Sequence, residues 1–262
     1  MAQVNSAYGD GTFLAVVYDA YDDQRFTPLD GAVAQVSELA DVLGTFGYRP
    51  TVLSNPDQAA LLSGLPEWST GWAADGAHGP AVVAWSGHAE RGRRADLWLI
   101  TRRAGSLRSR DEYVTTDDLV SRVLESGADQ VLVLLDTCHA GAGAHAAVEE
   151  ALRLMAHRTL PAPRRAWLGV LAACQEGEQA EGGRGALLEA VLRTLRHGPA
   201  PRSRYRHEWS VRNKGISGHT LAQTVIDGWP SGTGQSTDPD RTQDAQGQTR
   251  PGAWEREETT GA

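Results

Sequence analysis

Residues 130–143, QVLVLLDTCHAGAG, hold five consecutive apolar residues (131–135) followed at once by the polar Asp136-Thr137-Cys138-His139. Continuous apolarity without alternation is typical of a strand that is covered on both faces, as in a parallel sheet. Cys138, one of two cysteines in the chain, therefore follows the end of a buried strand. It is either a small core residue at that end or a nucleophile at the rim of a sheet.

Similar apolar runs occur in four other places, with helical patterns between them. The runs are FLAVV (13–17), the weaker PTVLS (50–54), AVVAW (81–85) and AWLGVLA (166–172). Apolar residues at helical spacing, with capping residues or basic last turns, predict helices over 30–46, 115–127, 144–158 and 185–198. Strands that alternate with helices favour right-handed crossovers. The sequence therefore predicts an α/β three-layer sandwich with a mostly parallel central sheet flanked by helices.

The composition indicates a soluble protein that can bury a core. Of 262 residues, 40% are hydrophobic and 22% are charged, a balance that needs no disulfides or metals. The formal net charge of −8 argues against a nucleic-acid partner, and no apolar run approaches the roughly 18 residues of a membrane span. No signal peptide is visible and only two cysteines occur, so we expect a cytoplasmic protein with no membrane partner.

The distribution of residue types divides the chain into two parts. Residues 1–228 are predicted to form one domain, and residues 229–262, rich in Gly, Pro, Thr, Gln and charge, a disordered tail. No closely spaced set of Cys and His predicts a metal site, and GAGAH (141–145) lacks the Lys and Ser/Thr of a phosphate-binding loop. We therefore expect neither a metal nor a cofactor.

A second predicted strand is also followed by residues that could take part in catalysis. AVVAW (81–85) is followed by Ser86-Gly87-His88, and functional groups collect beyond the carboxyl ends of strands in open α/β sheets. If the two strands are neighbours, His88 and Cys138 emerge on the same edge, where an imidazole can take the proton of a thiol that is mostly protonated at neutral pH. A flavodoxin-like or nucleotide-binding domain is an alternative, but no glycine-rich phosphate loop follows the first strand. The pairing of His88 with Cys138 favours nucleophilic catalysis.

The two motifs WSGHAE (85–90) and LLDTCHAG (134–141) resemble those of the caspase-like cysteine peptidases, especially bacterial caspase-family proteins and metacaspases. Residues 21–57 resemble the first strand–helix–strand unit of that family, and residues 167–195 resemble its last core strand and following helix. The resemblance implies that Cys138 attacks the scissile carbonyl, that His88 handles the protons, and that the N–H groups of Ala89 and Cys138 line an oxyanion hole. Ala89 stands where the family has Gly, and its Cβ is costly if the position requires a positive φ.

The resemblance also implies a substrate preference. Metacaspase-like members carry an acidic residue two positions before the nucleophile, here Asp136, at the floor of the S1 pocket. Glu176, or alternatively Glu178, would supply a second acidic contact. Carboxylates there favour Arg or Lys at P1. We therefore expect a cysteine endopeptidase that acts on proteins or peptides in regulated proteolysis, cell death or defence, with room for a regulatory protein partner. The alternative is a catalytically inactive caspase-like binding module.

Overall fold

The structure is a computed structural model, and it describes residues 11–74, 79–92, 96–105, 109, 112–125, 128, 130–156, 167–173, 185–201, 203–209 and 217–229. Its centre is a five-stranded parallel sheet. The strands are β1 (Gly11–Val17), β2 (Tyr48–Ser54), β3 (Pro80–Ser86), β7 (Gln130–Asp136) and β8 (Trp167–Ala172), in the order β2-β1-β3-β7-β8. All five apolar runs therefore form strands of one sheet.

Among the described residues, six helices cover the two faces of this sheet. They are α1 (Ala32–Thr45), α2 (Gln58–Ala74), α3 (Thr116–Glu125), α4 (Ala140–Ala156), α5 (Ala186–His197) and α6 (Gly218–Asp227). Helices α2, α3 and α4 pack on one face, and α1, α5 and α6 on the other. Alternate residues of each strand enter the two cores, as Leu14 and Ala15 do on β1, which explains the continuous apolar runs. The predicted three-layer α/β sandwich is confirmed.

A second, antiparallel sheet of three short strands lies between β3 and α3 in the chain. Its strands are β4 (Ala89–Arg91), β5 (Leu97–Ile100) and β6 (Tyr113–Thr115). Strands of three or four residues carry too little periodicity to be recognised, and the sequence interpretation missed them. Because β4 begins one residue after His88, this sheet determines the direction in which the chain leaves β3.

Helix α2 was also absent from the sequence interpretation. It contains Gly64 and Pro66, and a proline inside a helix has no N–H to donate. Tertiary packing compensates, because Leu61, Leu65 and Trp68 enter the core. The Trp68 indole N–H also donates to the Thr12 hydroxyl at 2.8 Å. No helix of the described residues is long and apolar enough to cross a membrane.

The C-terminal part of the described chain continues the domain beyond α5. A short 3₁₀ turn (Arg206–Glu208) leads to α6, where the Ser217 hydroxyl accepts the Thr220 N–H at 3.0 Å as an N-cap. Trp229 packs against the α1/α5/α6 core. Residues 230–262 of the predicted tail lie outside the described residues, so the boundary at 228 stays a prediction.

Candidate active site

His88 and Cys138 follow neighbouring strands at the same edge of the sheet. Strands β3 and β7 are parallel and in register, with Ser86 opposite Asp136 as the last pair. His88 and Cys138 therefore each lie two positions beyond the last pair, and both are half-buried. The Gly87 N–H points to the Asp136 carbonyl at 3.4 Å, which keeps the two chain segments together past the strand ends. The two strands are therefore neighbours, the condition under which the sequence interpretation expects His88 and Cys138 to emerge at one edge.

A backbone carbonyl orients the His88 ring. The Nε2 atom lies 2.8 Å from the Thr27 carbonyl oxygen, which can only accept a hydrogen bond. Nε2 therefore carries the proton in the neutral ring, and the lone pair is on Nδ1. The ring also packs between Tyr21 and Phe26, at centroid distances of 4.9 and 5.6 Å. Sequence reasoning missed Thr27 because a main-chain atom has no residue-type signal.

The backbone N–H of Ala89 points away from the strand next to it. In an antiparallel ladder, hydrogen-bonded and non-hydrogen-bonded pairs alternate. The Ile100 N–H donates to the His88 carbonyl at 3.0 Å, so the next pair, Ala89 with Leu99, is of the non-hydrogen-bonded kind. The N–H of Ala89 thus faces the other edge of β4. Ala89 does not adopt a positive φ, so its Cβ causes no backbone strain at this position.

Asp136 lies at the end of β7, where its carboxylate meets the first turn of α5. The side chain is 5% exposed, and Oδ2 accepts the Leu188 N–H at 2.9 Å. Burial raises the pKa of Asp136 to about 6, while the N–H groups of Leu188 and Leu187 pull it in the opposite direction. Its two proposed companions in an S1 pocket, Glu176 and Glu178, lie outside the described residues.

A buried glutamine, which sequence reasoning also missed, holds the start of α5. Gln35 on α1 is fully buried, and its amide makes two hydrogen bonds to the backbone of Gly185. The Gly185 N–H donates to Oε1 at 2.9 Å, and Nε2 donates to the Gly185 carbonyl at 3.0 Å. This clamp fixes the helix end that binds Asp136. An isolated Gln on a predicted helix offers no signal of this contact, since its partner is 150 positions away.

His139, directly after Cys138, has a backbone φ of 55°, a conformation that is uncommon for residues other than glycine. The side chain is half-buried, and its Nδ1 has no hydrogen-bond partner among the residues that the structure describes. Burial lowers the pKa of His139, Arg91 lowers it further, and Glu90 opposes the change. The positive φ turns the chain from the strand into α4, which begins at Ala140.

The remaining candidates of the sequence interpretation lie away from this edge or outside the structure. His145 is exposed on α4, with Nε2 3.1 Å from a carboxylate oxygen of Glu149. His157 and Cys174 are outside the described residues. Within the part of the chain that is described, no group of three or more His, Cys, Asp or Glu side chains is arranged to hold a metal ion.

Known proteins share features of this sequence and of this fold. Residues 13–207 match the family model of the caspase domain. Caspase-1 from Spodoptera frugiperda has a similar solved structure, with a TM-score of 0.58 at 15% identity over 95% of this chain and 88% of that chain. The Drosophila initiator caspase Dronc gives a TM-score of 0.49 at 10% identity, covering 72% of this chain and 65% of that one. No curated protein sequence shows a significant match.

Proposed function

Because this chain belongs to the caspase-domain family of cysteine peptidases, we propose that it is an endopeptidase in which Cys138 is the nucleophile and His88 the base. The observation that carries this proposal is the in-register end of β3 and β7, which brings both residues to one edge of the sheet. The contact between His88 Nε2 and the Thr27 carbonyl supports it further, because it leaves Nδ1 as the basic nitrogen.

The reaction then proceeds by acyl transfer. His88 Nδ1 takes the thiol proton, and Cys138 Sγ forms a bond to the scissile carbonyl carbon while the carbonyl π electrons move to oxygen. The N–H groups of Ala89 and Cys138 donate to that oxyanion. The C–N bond breaks as the imidazolium gives its proton to the leaving amine, which leaves a thioester. Water, deprotonated by Nδ1, then attacks the thioester carbonyl carbon. The C–S bond breaks, the carboxylic acid product leaves, and the imidazolium returns its proton to the Cys138 sulfur.

The orientation of the Ala89 N–H supports its role in the oxyanion hole. Since it is not directed at β5, it is available to a ligand at the edge of the sheet. Removing one such donor typically costs about 100- to 1,000-fold in kcat. Alanine serves as well as glycine here, because the backbone φ is not positive.

We assign P1 specificity for Arg or Lys to Asp136. Its carboxylate is buried, and its ionised form is disfavoured by that burial. A P1 guanidinium or ammonium would supply a counter-charge that none of the described residues provides, whereas an acidic P1 side chain would add repulsion. The oxygens have about four acceptor sites, of which the α5 N–H groups use part, so a guanidinium can still bind at two points. Glu176, or alternatively Glu178, is the proposed second acidic contact.

The biological role that we propose is regulated proteolysis of protein substrates, in cell death or defence, in the cytoplasm. A buried carboxylate that needs a cationic partner selects among cleavage sites, and selective cleavage suits regulation better than bulk degradation. A regulatory protein partner would act on this activity.

Fluorogenic peptides with Arg, Lys or Asp at P1 test the proposal. We expect turnover of the Arg and Lys peptides by the wild-type protein, its loss in Cys138→Ala, and its retention in Cys174→Ala, the other cysteine. His88→Ala should lose turnover to a comparable degree, with His145→Ala as the matched exposed histidine. Turnover that survives in Cys138→Ala would overturn the assignment of the nucleophile. A wild-type protein that is silent with all three peptides would instead support the binding-module alternative.

A further inference from the structure

One loop supplies two hydrogen-bond partners of His88. This loop, residues 19–29, lies between β1 and α1 and carries Thr27, whose carbonyl oxygen is 2.8 Å from His88 Nε2. It also carries Tyr21, whose hydroxyl accepts the backbone N–H of His88 at 2.8 Å. The hydroxyl can approach because position 87 is a glycine, where a Cβ would stand 2.9 Å from it. The placement of His88 therefore depends on the placement of the 19–29 loop.

Asp19 holds both ends of this loop. Its backbone carbonyl accepts the Leu29 N–H at 3.0 Å and so closes the loop. Its backbone N–H and its carboxylate both contact Asn55, the residue that follows β2. Strands β1 and β2 are parallel and in register, with Val17 opposite Ser54 as their last pair, so Asn55 lies beside the start of the loop. A residue outside the loop is thus placed to hold it.

Asn55 uses both polar groups of its side chain for this purpose. Its Oδ1 atom accepts the N–H groups of Asp19 and Ala20, at 3.1 and 3.2 Å. Its Nδ2 atom donates to a carboxylate oxygen of Asp19 at 2.7 Å. The Asn55 backbone N–H, in addition, donates to the Val17 carbonyl at 2.8 Å. These bonds fix the two residues that directly precede Tyr21.

The backbone of Asn55 has a φ of 46°, a conformation that asparagine tolerates better than most residues other than glycine. Glycine would suit this φ but would lose the side-chain bonds, and an ionised aspartate would accept the two N–H groups but could not donate to Asp19. Such backbone outliers cluster at functional sites. The other described non-glycine residue with a positive φ is His139, next to the candidate nucleophile. Position 55 therefore requires asparagine for its contacts with the loop.

We propose that Asn55 is a positioning residue for His88: by fixing the start of the 19–29 loop, it holds Thr27 and Tyr21 against the histidine. A general base must lie within hydrogen-bond reach of the proton that it takes, and a small displacement of such a group lowers the rate. The effect on catalysis rests on the proposed function of His88 as the base. The effect on the placement of His88 does not.

A second attachment of the same loop provides a control. The Arg102 guanidinium donates to a carboxylate oxygen of Asp22 at 3.1 Å, and the Asp22 N–H donates to the Arg102 carbonyl at 2.9 Å. Both side chains are exposed, and exposed ion pairs contribute little to stability. Arg102→Ala removes the ion pair and keeps the backbone bond. We therefore expect it to disturb His88 far less than the loss of the Asn55 amide.

Hydrogen exchange of the His88 amide, followed by NMR, tests the proposal. Asn55→Gly permits the same φ and removes the side-chain bonds, and we expect the His88 N–H to exchange about tenfold faster or more. The Thr220 N–H, bonded to the Ser217 hydroxyl at the start of α6, should keep its wild-type rate. Arg102→Ala should change the His88 rate by less than about threefold. An unchanged His88 rate in Asn55→Gly, or equal acceleration at Thr220, would overturn the proposal.

Asn55→Asp is a second variant, which decides the matter if Asn55→Gly fails to fold. It keeps the size of the side chain and an acceptor for the two N–H groups, but it places a second carboxylate against Asp19. One of two such carboxyls has a strongly raised pKa, so at acidic pH it can hold a proton and donate it in place of the lost amide. Relative to the wild type at the same pH, we expect the His88 N–H to exchange about tenfold faster or more at pH 8 and within about threefold at pH 5. A ratio that does not change with pH contradicts the proposal.

Peptide cleavage distinguishes this inference from the proposed function. If the wild-type protein cleaves Arg or Lys peptides, Asn55→Gly should lower kcat about tenfold or more and leave KM within about twofold, because the base is displaced while the substrate site is unchanged. If the wild type cleaves no peptide but the exchange of the His88 amide still depends on Asn55, the proposed function fails and the placement of His88 by Asn55 stands. Cleavage with wild-type kcat in Asn55→Gly would overturn the inference alone.

Discussion

Gly185 lies so close to Asp136 that a Cβ at position 185 would stand 1.9 Å from the carboxylate Oδ2. The backbone of Gly185 is ordinary, with φ −57° and ψ 123°, so the glycine is required by the close approach and not by an unusual conformation. The start of α5 and the carboxylate of Asp136 are therefore packed directly against each other.

Substituting Gly185→Ala should displace either Asp136 or the first turn of α5. We expect the free energy of unfolding to fall by about 1–3 kcal/mol, the usual effect of overpacking a filled site, as measured by urea denaturation. Gly44→Ala is the matched control, because a Cβ at position 44 meets nothing within 4 Å. It should leave stability unchanged or raise it slightly. Equal effects of the two substitutions would contradict the close packing.

Substituting Asp136→Asn should remove the preference for cationic P1 residues. We expect kcat/KM for an Arg peptide to fall by at least about 30-fold, which corresponds to about 2 kcal/mol for a lost charge-assisted hydrogen bond. The kcat/KM for a peptide with a neutral P1 side chain should change far less. Asp41→Asn, an exposed carboxylate on α1, is the control. An equal loss of kcat/KM for both peptides would mean that Asp136 has only a structural role.

The same substitution should change how stability depends on pH. The pKa of Asp136 is about 6 in the folded protein and about 3.8 in the unfolded chain, so the folded state binds this proton more tightly. Its contribution to stability is fully present below pH 4 and is lost as the pH rises through 6. The free energy of unfolding of Asp136→Asn, taken relative to that of the wild type, should therefore increase between pH 4 and pH 7.5, by about 3 kcal/mol at most. Denaturation curves at both pH values measure this, and a constant difference contradicts it.

Substituting Gln35→Leu should loosen the start of α5. The substitution removes the acceptor of the Gly185 N–H and one of the two donors to the Gly185 carbonyl, which still accepts the Glu189 N–H, and we expect a loss of about 1–3 kcal/mol in the free energy of unfolding. Hydrogen exchange at the Leu187 and Leu188 amides should accelerate more than in the rest of α5. Ser37→Ala, an exposed position on the same helix, provides the baseline. Exchange that is unchanged at these two amides would show that Gln35 does not hold them.

Substituting Ala89→Pro should remove one oxyanion donor. Since the Ala89 N–H takes no part in the β4–β5 ladder, its loss leaves the ladder intact, and we expect kcat to fall by about 100-fold or more with a small change in KM. Arg91→Pro, at the equivalent ladder position two residues on, should retain most activity. Ala89→Gly should bring no gain in kcat, because there is no positive φ to relieve. A large gain in Ala89→Gly would contradict this reading.

The sequence alone was sufficient to predict the parallel sheet. Buried strands such as β3 and β7 leave a local trace, since every residue of the run must be apolar when both faces are covered. Amphipathic helices such as α5 leave a similar trace. Helix α2 and the strands β4–β6 leave no such trace in the local sequence, because they depend on contacts made elsewhere in the fold.

The positions of His88 and Cys138 after β3 and β7 were predictable because both residues follow strong strand signals. Their partners were decided only by the tertiary structure: the Thr27 carbonyl for the ring and the Tyr21 hydroxyl for its backbone, from 61 and 67 positions away. The fit of Asp136 against α5, across 52 positions, is of the same kind. The physical reason is that a carbonyl, a hydroxyl or an amide N–H is common to many residues, and only its placement in space gives it one partner.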